Sequence, residues 1–128
     1  MRLMTNPADR AMLRTAIEEL QKECEAARKK CDRLGVATMP IQIIEGHAEV
    51  VLKAIDVSEK DDRNDVGMQA SVIPSVRLAL HLHLEGLDKV RTKQVDLGIL
   101  APKDTEAEMD RARRLHEELA DQYAMAPA

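Results

Sequence analysis

Residues 6–35, NPADRAMLRTAIEELQKECEAARKKCDRLG, decide the fold. Asn6 is a good N-cap, and Pro7 suits the first helical position, where its missing amide proton has no intrahelical partner to lose. Gly35 is the residue type that most readily adopts the left-handed conformation ending a helix. About 28 residues lie between these signals, which at about 1.5 Å per residue predicts a helix roughly 42 Å long. Within it Leu13, Ile17, Leu20, Cys24, Ala27, Cys31 and Leu34 alternate at spacings of four and three, a coiled-coil-like heptad seam. Such a seam demands a partner helix, so these seven residues are the expected interface. The surface agrees: Glu18 precedes Lys22 and Glu25 precedes Lys29 by one helical step, while Arg28, Lys29, Lys30 and Arg33 crowd the negative end of the dipole.

Outward from this segment the chain reads as three more helices. After Thr38-Met39-Pro40, a stretch running to about Val57 places Ile41, Ile44, Ala48, Val51 and Ile55 at helical spacing. Ile43, Val50, Leu52 and Ala54 widen the stripe, as in a helix at the middle of a bundle. Residues 58–69 are polar and unperiodic, which predicts a surface loop. A third helix is expected from about Ser71, with Pro74 in its first turn and Ile73, Val76, Leu80, Leu84, Leu87 and Val90 along one face. Leu78 to Leu84 also alternates with period two, so an α+β fold with a hairpin in residues 76–100 is the alternative. Leu, Ala and His lack the β-branching of good strand formers, and helix is preferred. Gly98 and Pro102 break the chain, and Thr105-Glu106-Ala107-Glu108 has the form of a capping box opening a last helix. Met109, Ala112, Leu115 or His116, Leu119 and Tyr123 would make its apolar face. The expected fold is all-α: a compact bundle of about four helices in a single domain over 1–128, with 1–5 and 125–128 as flexible termini.

Composition narrows the classes. A chain of 128 residues, 45% hydrophobic, suits one core. Charged residues make up 33% with a net charge of only −4, so interleaved signs leave no global field to select a partner. With no Trp, no Phe and one Tyr, the chain lacks the rings on which base-stacking modules depend. Two cysteines are too few for a disulfide scaffold, the N-terminus has no long apolar run, and no stretch approaches the roughly 20 residues that span a bilayer. A cytoplasmic protein with reduced thiols and no membrane partner is expected.

Candidate chemistry is sparse. Cys24 and Cys31 lie about 10.5 Å apart along one helix, too far to share a metal ion, and read as small buried hydrophobes unless a parallel partner copy aligns them. His81 and His83 would share a face only on a strand, where His47, His116 or a carboxylate would complete a metal site; on a helix they point about 200° apart. Residues Asp62 to Gly67 imitate the start of an EF-hand loop, but Val66 takes the fifth ligand position and Ile73 the twelfth. No phosphate-binding loop, nucleophile elbow or HExxH helix occurs, so no catalytic, cofactor-binding or metal residues are expected.

The expected function is a non-enzymatic helical assembly or protein-interaction module that self-associates, because a 42 Å amphipathic helix (about 1.5 Å per residue) exceeds what a domain with a radius of gyration near 14 Å can cover. One alternative is a helical nucleic-acid-binding protein, with Gly35 to Thr38 as the turn between two helices and Arg28, Lys29, Lys30, Arg33, Arg111, Arg113 and Arg114 as phosphate contacts. Another is a small protein inhibitor offering an acidic and apolar surface to a macromolecular target.

Overall fold

In the computed structural model, which describes residues 1–125, Asn6 and Gly35 end the first helix where their chemistry places them. Helix α1 spans Pro7–Leu34. The Asn6 side chain accepts from the Asp9 amide at 2.7 Å, and the Asp9 carboxylate accepts from the Asn6 amide at 3.1 Å, a reciprocal cap that satisfies two orphan donors. At the other end Gly35 adopts φ +68°, and the Val36 amide reaches back to the Cys31 carbonyl at 2.9 Å. Helix α2, Met39–Lys60, follows after a short turn. Then come a 3₁₀ turn at Ala70–Val72, helix α3 at Ile73–Asp96 and helix α4 at Lys103–Met125. The fold is all-α, about four-fifths helical, and α3 is helical throughout, so residues 76–100 contain no hairpin. Burial explains the outcome: Val76, Ala79, Leu80 and His83 share the face turned to the core, a spacing of three and four that overrides the alternating run.

The start of the chain departs from the expected loose terminus. Arg2–Met4 forms strand β1, paired antiparallel with strand β2, Asp65–Gly67, which interrupts the expected loop; Arg2 lies opposite Gly67, Leu3 opposite Val66 and Met4 opposite Asp65. Leu3 and Val66 are 1% and 0% exposed, so this ribbon is a piece of core. Its outer edges are not left bare. Gln122 on α4 donates to the Arg2 carbonyl at 3.0 Å, and the Ser58 hydroxyl on α2 donates to the Asp65 carbonyl at 2.6 Å. Met125 closes α4, and residues 126–128 of the expected C-terminal tail lie outside the described residues.

Thr105 is not the cap that its sequence suggests. Helix α4 begins two positions earlier, directly after buried Pro102, whose carbonyl accepts the Glu106 amide at 3.0 Å. The Thr105 hydroxyl donates to the Gln94 side chain at 2.8 Å and fastens α4 to α3.

The four helices form two antiparallel hairpins. Arg14 pairs with Asp56 and Glu59, and Arg28 with Glu45, along the α1–α2 hairpin. His83 meets Glu19 and Ser75 meets His47, which sets α3 antiparallel to α1. The core lies where the hairpins cross, with Leu13, Ile17, Val51, Ile55, Val76 and Leu115 each under 2% exposed. Burial stops sharply outside that crossing. No residue from Glu25 to His47 is buried, and none from Leu84 to Ala101. The closed ends of the two hairpins therefore project from opposite ends of the shared core, each covered, among the described residues, only by its own partner helix.

Candidate functional site

The heptad seam of α1 splits between two environments. Leu13, Ile17, Leu20 and Cys24 are buried in the chain's own core, where α2 and α3 supply the partner that the pattern demanded. Ala27 is exposed, Cys31 half-buried and Leu34 67% exposed, because here only α2 lies alongside. The turn adds Val36, and the first turns of α2 add Met39 and Ile43, all more than half exposed. Ile41 and Ile44 are partly buried against the core cluster and hold α2 on its track. A two-helix stem thus presents exposed aliphatic side chains at its closed end.

Charge at this end is mostly basic. Between Arg28 and Ile44 the only acidic residue is Asp32, against Arg28, Lys29, Lys30 and Arg33. Arg28 lies 3.5 Å from Glu45 and Lys29 3.3 Å from Glu25, while Lys30 and Arg33 make no ion pair among the described residues. The second basic cluster is placed elsewhere. Arg111 and Arg114 both bind Asp9 Oδ1, at 3.1 and 2.5 Å, and Arg113 binds Asp110 at 3.1 Å. Asp9 and Lys30 are separated by about 30 Å of α1, so the two clusters do not form one phosphate-binding face. Asp9 is 2% exposed. Its burial alone would raise the carboxyl pKa, but the Arg114 hydrogen bond, the Asn6 amide and the charge of Arg111 together hold it below the ordinary carboxylate value.

The four histidines do not converge. His83 is buried between α1 and α3, its Nδ1 2.9 Å from Glu19 Oε2. His81 is exposed and pairs with Glu85 at 3.0 Å, and His47 Nδ1 lies 2.8 Å from the Ser75 hydroxyl. His116 titrates below the ordinary imidazole value because burial, then Arg77 and His81, disfavour its charged form. Among the described residues no three side chains of His, Cys, Asp or Glu are grouped to hold a metal ion. The Asp62 loop is committed too, since the Asp65 carboxylate binds Arg2 at 3.0 Å and Arg63 at 3.4 Å. Both cysteines are free thiols. Burial and the nearby carboxylates of Glu45 and Glu23 push the Cys24 thiol up, the opposite of what a nucleophile needs.

One concavity joins residues that sequence reasoning left apart. A groove of about 570 Å³ runs between α1 and α3, with Glu19 and Glu23 on one wall, Leu82, Glu85 and Val90 on the other, and Gly86 and His83 between. Glu19 and His83 stand 64 positions apart, and nothing local in either segment announces the pairing. No helix among the described residues is long and apolar enough to cross a membrane. No family model matches this chain, and no curated protein or solved structure matches it either.

Proposed function

We propose that the protein is a non-enzymatic helical assembly module, which associates with further copies of itself through the closed end of the α1–α2 hairpin. The observation that carries this reading is the seam that outruns its own core: its last residue, Leu34, lies more than half exposed with Val36, Met39 and Ile43 at the end of a stem that no other described element covers. Contiguous exposed aliphatic surface is the usual mark of an interaction site, whereas the same residues scattered singly would carry no meaning. The nucleic-acid alternative has less behind it. Of the seven basic side chains it invokes, Arg28, Lys29, Arg111, Arg113 and Arg114 are ion-paired within the chain.

Light scattering over a concentration series tests the proposal. The solution mass is expected to rise above the 14.3 kDa of one chain, and Ile43→Asp to return it there. A wild-type mass that stays at one chain at every concentration, or that rises only when duplex is added, overturns the reading.

A further inference from the structure

We infer that the assembly runs head to tail: the closed end of the α1–α2 hairpin of one copy docks in the α1–α3 groove of the next. The inference rests on the self-association proposed above and names the surface that receives the hairpin end.

Charge is the first support. The hairpin end offers Lys30 and Arg33, which make no ion pair among the described residues, while the groove carries the carboxylates of Glu19, Glu23 and Glu85, the first against His83 and the third against His81, beside one ammonium, Lys89. Opposite fields on two different faces of one molecule favour head-to-tail docking. A symmetric contact between two hairpin ends would instead bring together two patches that each carry Arg28, Lys29, Lys30 and Arg33 against the single carboxylate of Asp32, because a two-fold interface brings the same patch to itself.

Shape is the second. The hairpin end is convex, and the groove is concave with an apolar wall of Leu82, Leu87 and Val90 to receive Leu34 and Val36. At Gly86 the groove is open space, where an added β-carbon would meet nothing within 4 Å and a longer side chain has room to project. The chain cannot fill its own groove, because a continuous helix holds Leu34 roughly 20 Å along α1 from Glu19 and Glu23. Two different faces that bind each other between copies build rings or open filaments rather than closed dimers.

Two blocked variants test this. One carries Arg33→Glu with Leu34→Asp and so lacks the hairpin end; the other carries Glu23→Lys with Gly86→Met and so lacks the groove. Each is expected to remain at the mass of one chain alone, and an equimolar mixture to reach twice that mass and no more, since one copy keeps the groove and the other the hairpin end. Association of the wild type should weaken at least tenfold on raising salt to about 0.5 M. Circular dichroism checks the fold of both variants, and Lys30→Glu with Arg33→Glu, both on exposed positions, replaces the first if it unfolds. Self-association of the groove variant on its own means that hairpin ends pair with each other and overturns the inference while keeping the proposed function. A mixture that stays at one chain mass, although the wild type assembles, overturns it equally. A wild type that never assembles removes both, even if it binds vesicles of anionic lipid.

Discussion

Arg114 on α4 donates to Asp9 Oδ1 at 2.5 Å across 105 positions of sequence, and Arg111 reaches the same oxygen at 3.1 Å. This junction fastens the second hairpin to the first turn of the first, because Asp9 also completes the cap of α1 through Asn6. Asp9→Asn keeps the shape and removes the charge. It should cost about 2 kcal/mol, less than breaking a fully buried pair because Arg114 is half exposed to solvent. Urea denaturation measures it, and an unchanged midpoint would show the junction to be decoration.

The same carboxylate sets an acid limit. Its folded pKa lies below the ordinary value of 3.8, so its contribution is fully present above that value and is lost as pH falls through the lower folded one. Wild-type stability is therefore expected to drop below about pH 4, and Asp9→Asn to show a shallower acid limb.

His116 adds a second, milder dependence nearer neutrality. Its folded pKa lies below the ordinary value of 6.5, so the unfolded chain binds the proton more readily and stability declines as pH falls from about that value through the folded one. His116→Gln should flatten the melting temperature between pH 7 and pH 5. Imidazole titration by NMR at or above the ordinary value would contradict this.

Two glycines should respond in opposite directions. Gly35→Ala forces a β-carbon into φ +68° and is expected to cost about 1 kcal/mol. Gly46→Ala, in the middle of α2 with open space where the β-carbon would go, should gain about 0.5–1 kcal/mol, or a few degrees in melting temperature. Thermal melts of the two variants decide it.

The ribbon at the start of the chain is predicted to be structural. Leu3→Ala should cost about 2–4 kcal/mol in urea denaturation, the range for emptying a buried leucine site, whereas a loose terminus would register nothing.

Much of this fold is legible in the sequence, for identifiable reasons. Asn6, Pro7 and Gly35 act through their own backbones, so α1 can be bounded without knowing its neighbours. The seam from Leu13 to Leu34 is equally local, but where the core stops covering it is not, because that depends on where α3 crosses. Strands of three residues carry no periodicity, so β1 and β2 left no trace. The contacts of Asp9 with Arg111 and Arg114, and of Glu19 with His83, join charged residues that each read as solvated helix surface until the helices are packed. Thr105 misled because a capping box is a pattern of side chains, while Pro102 had already fixed where the helix could begin.

The split of one heptad seam into an inner and an outer half is the central claim, and a paired substitution tests it most directly. Mass by light scattering and melting temperature are to be measured together for Leu20→Asp and Leu34→Asp. Leu20 is 2% exposed and Leu34 67% exposed, so the first charge enters the core and the second does not. Leu20→Asp is predicted to cost several kcal/mol of stability and so to lower the melting temperature steeply, and Leu34→Asp to leave it within a degree or two of wild type while reducing the assembled mass to one chain. A Leu34→Asp protein that melts like the wild type and keeps its mass contradicts the account.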